Sequence, residues 1–242
     1  MADEETYEPR RVMVVVAHPD DAEFMAAGTV AKWAKDGKEI VYVLCTNGDK
    51  GTSDKTLSPA ALAEARAKEQ QAAAARLGVR EVVFLGYEDG ILQNTLELRR
   101  DIVRQIRRFK PEVVVCQDPT TRWSGQYINH PDHRAAGDAT LDSIYPSARD
   151  PHVFPELLAE GLEPHKVREV YVGGTNQADV WVDIGDTIDL KIQALLAHES
   201  QIHNGTRPAD WDIGKVVRER AEQVADGHDM QFAEAFKYFK LR

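Results

Sequence analysis

Apolar positions along the chain follow two alternating rhythms. Val12–Ala17 is an unbroken, β-branched run, too short for a helix, and reads as a strand buried on both faces of a parallel sheet. From Glu23 to Lys35 the apolar positions Phe24, Ala27, Val30, Ala31 and Ala34 recur at helical spacing, and Gly37 marks the stop. Glu39–Thr46 predicts a second strand, and Asn47-Gly48 opens a polar loop to about Leu57. Ser58-Pro59 then starts an alanine-rich helix through Leu77, with Ser58 as N-cap and Gly78 at its end. The rhythm repeats as strand Glu81–Leu85, helix Thr95–Phe109, strand Glu112–Gln117, loop Pro119–Asn129 and helix His130–Ile144. Such alternation with short links predicts an α/β fold, a Rossmann-like, mostly parallel sheet with helices on both faces. Beyond Tyr145 the pattern loosens into an irregular C-terminal third. There, Val167–Gly173 and Asp179–Ile184 read as strands, and Asp186–His198 and Asp210–Ala225 as helices. With no repeat or linker, the expected organisation is a flexible tail over 1–10 and one domain over 11–242.

Composition narrows the class without choosing a function. The 242 residues carry 30 Lys+Arg against 40 Asp+Glu, a net charge of −10, which argues against a general nucleic-acid binder. Hydrophobic residues at 43% and charged residues at 29% are those of an ordinary soluble globular protein. No apolar run reaches the ~18–20 residues that span a bilayer, so no membrane partner is expected. Met1–Arg10 is acidic and polar, unlike a signal peptide, and the default expectation is a cytoplasmic location. Cys45 and Cys116 end apolar runs with no CxxC or Cys/His spacing, and read as buried, reduced thiols.

Two turns carry candidate chemistry. The first strand runs into Ala17-His18-Pro19-Asp20-Asp21, and the fourth leads through its loop into His130-Pro131-Asp132-His133. Either alone has an ordinary reading, as acids that cap a helix or as surface histidines in a first turn. Together they follow strands and open helices, so both belong on the rim at the carboxyl ends of the sheet, where α/β folds bind ligands. Two histidines and a carboxylate with an open position make a catalytic zinc site, and the extra Asp and His suit a general base and a helper.

These residues resemble the LmbE-like (PIG-L) family of zinc-dependent de-N-acetylases. The matching pieces are Ala17–Phe24, Gly28-Thr29, Cys45–Asp49, Arg66–Gly78, Leu85–Leu92, His130–Arg134 and Ala197–Gln201. The resemblance implies that His18, Asp21 and His133 bind the metal, that Asp20 is the general base, and that His130 polarises the carbonyl or stabilises the oxyanion. It implies sugar contacts for Arg66, Asp49, Asp89 and His198. Tyr127 is a further candidate in the loop before His130, where some relatives use a tyrosine, and Arg122 and Trp123 are candidates to line the cleft. The implied cofactor is Zn2+, with Fe2+ or another divalent ion as alternatives. The implied substrate is an N-acetylated amino sugar of GlcNAc type, and the implied assembly is a homo-oligomer.

Two other classes stay open at this point. Two histidines and a carboxylate also hold ferrous iron in oxygenases, though the second Asp of the first turn counts against that. A non-catalytic sugar- or nucleotide-binding module fits the fold as well, but no GxGxxG or GxxxxGK[ST] follows a strand.

Overall fold

The computed structural model describes residues 7–202 and 211–242. The predicted tail therefore lies partly outside the described residues, as does Asp210 at the start of the last predicted helix. Strands β1 (Arg11–Val16), β2 (Glu39–Thr46), β3 (Glu81–Tyr87) and β4 (Val113–Gln117) alternate with helices α1 (Asp21–Lys35), α2 (Pro59–Arg76) and α3 (Leu96–Phe109). A short hairpin, β5 (Trp123–Ser124) and β6 (Tyr127–Ile128), interrupts the loop before α4 (Pro131–Asp142). The rest contains α5 (Pro155–Ala159), β7 (Glu169–Gly173), β8 (Val180–Asp183), α6 (Ile188–Leu196), α7 (Glu199–Ile202), α8 (Ile213–Ala225) and β9 (Ala233–Lys240).

Seven strands form one sheet in the order β3-β2-β1-β4-β7-β9-β8. β1, β2, β3, β4 and β7 pair in parallel, and β9 pairs antiparallel with both β7 and β8. Residues of β1 alternate between two cores. Met13 and Val15 pack with Leu98, Ile102 and Ile106 of α3 and with Ala136 and Ala139 of α4. Val12, Val14 and Val16 pack with Ala22, Ala26 and Val30 of α1 and with Ala73 and Ala74 of α2. Burial on both faces explains the unbroken apolar run, since every other side chain meets a helix layer on each side.

Strand β9 is the strand of the seven-stranded sheet that the hydrophobic pattern missed, as it also missed the β5–β6 hairpin and the short helices α5 and α7. Glu234 sits on β9 at a buried position, which breaks the apolar signal. Its charge is met by Lys191 Nζ at 2.6 Å, and its two oxygens accept from Gly28 N and Thr29 N in the middle of α1. A Cβ on Gly28 would stand 2.7 Å from Ile184 Cβ, so glycine permits this close approach of α1 to the C-terminal third. Cys45 and Cys116 are buried and unpaired. Among the described residues, no helix is long and apolar enough to cross a membrane.

Candidate active site

The strand order reverses between β1 and β4: β2 and β3 follow on one side of β1, and β4 lies on the other. Such a switch point opens a crevice beyond the carboxyl ends of the two strands. One His-Pro-Asp turn leaves the end of β1 directly, and the other follows β4 after the loop that carries the β5–β6 hairpin. Gln117, the last residue of β4, accepts the Ala17 N–H at 3.0 Å, and Thr46 N–H donates to Ala17 O at 2.8 Å, so the turn after β1 is clamped from both neighbours. His18, His130 and His133 meet here, with ring centroids 4.8 to 5.4 Å apart. Each offers a nitrogen within 4.8 Å of the others.

The hydrogen bonds around the rings decide which nitrogens are free. Asn129 Nδ2 donates to Thr121 O, so its Oδ1 faces His133 Nδ1 at 3.0 Å and accepts that proton. His133 Nε2 is then a lone pair, 3.1 Å from Asp21 Oδ1. His18 Nε2 lies 3.0 Å from Asp89 Oδ1 and 3.3 Å from Asp132 Oδ2, so it is the protonated nitrogen. Its Nδ1 faces Asp21 Oδ2 at 3.2 Å. One carboxylate thus stands between two imidazole nitrogens, an arrangement that either a proton or a cation satisfies. Burial works against charge on His18, yet Asp21, Asp132 and Asp89 push its imidazole up to about 12. His18, Asp21 and His133 could hold a divalent metal, as could His18 with His130 and His133 or His18 with Asp89 and Asp132, and carboxylate or amide partners on the far ring nitrogens are the usual support for metal-binding histidines.

Asp20 is the N-cap of α1 with φ 86°, in the left-handed region, and its side chain makes no capping bond. This conformation costs a non-glycine residue roughly 1–3 kcal/mol, and residues that adopt it cluster at functional sites. Its Oδ2 accepts from Arg66 Nη2 at 3.2 Å. Burial, opposed by Arg66, pushes the Asp20 carboxyl up to about 6. His130 is the N-cap of α4, and its Nδ1 accepts the Asp132 N–H at 3.2 Å, so its remaining proton sits on Nε2. Burial and the neighbouring His18 lower its imidazole below the ordinary value.

The expected sugar contacts separate. Arg66 is 4% exposed and donates to Gly48 O, Pro19 O and Asp20, so it ties the two loops together and orients Asp20. Asp89 bonds His18 and accepts Lys50 N–H. Burial works to raise its carboxyl, but these bonds hold it down to about 2. Asp49 has one carboxylate oxygen buried without a hydrogen-bond partner. Tyr127 is 58% exposed on the β5–β6 hairpin, beside exposed Arg122 and Trp123, and makes no hydrogen bond to the three histidines. His198 corrects the expectation: it is 0% exposed and bonds Glu23, so it has no surface to offer a sugar. Two residues without a predicted role belong to the site, Asn129 and Asp132. The signal was their place in the motif, one residue before His130 and between the two histidines.

With this geometry in place, comparison with known proteins defines the class. The model of the PIG-L family, described as GlcNAc-PI de-N-acetylase, matches residues 13–144, and the chain belongs to this family. It is 34% identical over 205 residues to the diacetylchitobiose deacetylase of Thermococcus kodakarensis, across 84% of this chain and 73% of that protein. The structure of N,N'-diacetylchitobiose deacetylase from Pyrococcus horikoshii, complexed with its inhibitor MPG, superposes with a TM-score of 0.87. It is 30% identical, with 96% of this chain and 85% of that one covered. The fold is shared more widely. GalB, the 4-carboxy-2-hydroxymuconate hydratase of Pseudomonas putida, superposes with a TM-score of 0.75 at 22% identity, over 96% of this chain and 97% of its own.

Proposed function

We propose that the protein removes the acetyl group from an N-acetylated amino sugar of GlcNAc type, such as a chitobiose-like or glycoconjugate substrate, and releases acetate and a free amine. The observation that carries this reading is the Asp21 carboxylate held between a nitrogen of His18 and one of His133, with the carboxylate of Asp20, free of any capping bond, next to it in the chain. Membership of a de-N-acetylase family favours it over a ferrous oxygenase or a non-catalytic binding module.

His18 Nδ1, Asp21 and His133 Nε2 would hold the metal, proposed as zinc. When bound, such an ion lowers the pKa of water to about 7 and polarises a carbonyl oxygen. Asp20, raised by burial and steadied by Arg66, accepts the proton of the attacking water. His130 donates its Nε2–H to the oxyanion that forms from the acetyl oxygen. Because its Nδ1 is filled by the Asp132 N–H, His130 carries a single proton, and surrendering it would leave an imidazolate. The proton that reaches the departing nitrogen is therefore the one Asp20 took. Asp49, with a buried and unpartnered oxygen, is the proposed acceptor for a sugar hydroxyl.

The test is acetate release from a panel of N-acetyl sugars, run without oxygen, with metal content measured on the same sample. Turnover that needs oxygen and yields no acetate overturns the reading. A homo-oligomeric state is proposed alongside it, and light scattering during size-exclusion chromatography decides that point.

A further inference from the structure

Behind Asp20 runs a line of side chains that reaches no solvent. The Asp20 N–H donates to Gln70 Oε1 at 2.9 Å, and Gln70 Nε2 donates to Glu23 Oε1 at 2.9 Å. Glu23 Oε2 lies 3.2 Å from His198 Nε2. Gln70, Glu23 and His198 are each 0% exposed. They come from α2, α1 and the link between α6 and α7. The flanking residues strengthen that link: Ser200 bonds Glu69 through its N–H and its hydroxyl, and Gln201 Nε2 donates to Gly51 O. The segment Ala197–Gln201 thus ties the C-terminal third to α2 and to the loop after β2.

The direction of these bonds matters. An amide can turn over and exchange its oxygen for its NH2, which would set two donors against each other at Asp20. The Glu23 carboxylate accepts from Gln70 Nε2 and forbids that turn. His198 in turn fills the other oxygen of Glu23 and fixes its rotamer. Asp20 itself is in the left-handed region, φ 86°, which carries a steric cost for a residue with a side chain, and its N–H is held by Gln70. We propose that Gln70 is a positioning residue for the reaction: it holds the Asp20 main chain, and with it the carboxylate, in register with Asp21, while Glu23 and His198 hold the Gln70 amide the right way round. The inference rests on the reading of Asp20 as the base.

Acetate release, metal content and thermal midpoint of Asp20→Asn, Gln70→Leu, Gln70→Glu and the pair Glu23→Gln/Gln70→Glu test it. Gln70→Leu is expected to lower kcat by about 10–100-fold, the range that a displacement of about 1 Å produces, with KM and metal content those of the unaltered enzyme. Gln70→Glu sets two carboxylates face to face and lowers kcat similarly. Adding Glu23→Gln restores every donor and acceptor in reversed order: the new amide NH2 at 23 meets the carboxylate at 70, and its oxygen meets His198 Nε2. The pair is expected to recover most of the lost kcat. A merely structural role predicts losses that follow the thermal midpoint or the metal content. Unchanged kcat in Gln70→Leu overturns the inference, and so does a folded, metal-loaded pair no more active than Gln70→Glu alone. Should Gln70→Leu fail to fold, the comparison of Gln70→Glu with the pair decides. Full activity in Asp20→Asn, by contrast, removes the base assignment itself.

Discussion

The turns after β1 and β4 begin with the same three residues, His-Pro-Asp, and fold in opposite ways. After β4 the helix starts at once: His130 caps it, Pro131 takes the first helical position, and Asp132 lies inside the first turn. After β1 the helix starts two residues later in the motif, at Asp21, which leaves Asp20 outside it with a left-handed main chain. The third residue of the motif therefore meets two fates. Asp132 Oδ2 accepts from Gly90 N and faces His18, and its Oδ1 accepts from Leu92 N, so the carboxylate is fully engaged by protein. Asp20 makes no capping bond, and its carboxylate meets Arg66. A shared tripeptide thus supplies an acid held by main-chain donors in one turn and the proposed base in the other. The difference lies in where the helix begins.

The largest effect separates these two acids directly. Asp20→Asn is expected to keep its metal and lose about 10²–10⁴-fold in kcat, the usual worth of a general base. Asp132→Asn should act through His18 instead, with about 10–100-fold lost in metal affinity or activity, as for other partners of metal-bound histidines. Acetate release at saturating metal, with a metal titration of each variant, tells them apart. A tighter effect of Asp132→Asn on kcat than of Asp20→Asn reverses the comparison.

The two histidines of the second turn sharpen it further. His130→Ala removes the Nε2–H proposed to meet the oxyanion, and the expected loss is about 10²–10³-fold in kcat with metal retained. His133→Ala should lose the metal along with the activity, because its Nε2 lone pair is one side of the Asp21 clamp. Elemental analysis after gel filtration reads both. An active, fully metallated His133→Ala removes that residue from the proposed ligand set.

Much of this scaffold was legible in the chain because its cause is local. The β1 run and the Ser58 cap on α2 each follow from neighbouring residues, and Ser58 bonds Ala61 N as such caps do, while Thr95, read as the first residue of its helix, proves to be the cap that bonds Leu98 N. Both His-Pro-Asp turns were legible as well, and their convergence followed from the parallel pattern. What was not legible depends on partners distant in sequence. Glu234 hid β9 because its neutralising lysine is 43 residues away. Gln70 sits on an alanine-rich helix with no local signal to single it out, although it shares a face with Arg66 one turn earlier. His198 looked like a sugar contact within its motif, yet it points inward to Glu23, 175 residues away.

The smallest expected effect concerns stability and tests whether the first turn is shaped for reaction rather than for capping. At an ordinary N-cap, loss of the side chain is destabilising: Ser58→Ala, which removes the acceptor for Ala61 N–H, should cost about 1 kcal/mol. At Asp20 no such bond exists to lose, and glycine adopts φ 86° without the steric cost that an L side chain bears. Removing the carboxylate also ends the cost of burying it, which outweighs its attraction to Arg66, while Arg66 Nη2 keeps its bond to Pro19 O. Against these gains stands the greater freedom of glycine in the unfolded chain, about 0.4–1 kcal/mol. Asp20→Gly should therefore be as stable as the unaltered protein or slightly more so, by up to about 1 kcal/mol, while it is inactive. Urea midpoints of both variants, measured with a chelator present so that bound metal adds nothing to either, check this. A loss at Asp20→Gly as large as that at Ser58→Ala would mean that Asp20 serves the helix after all.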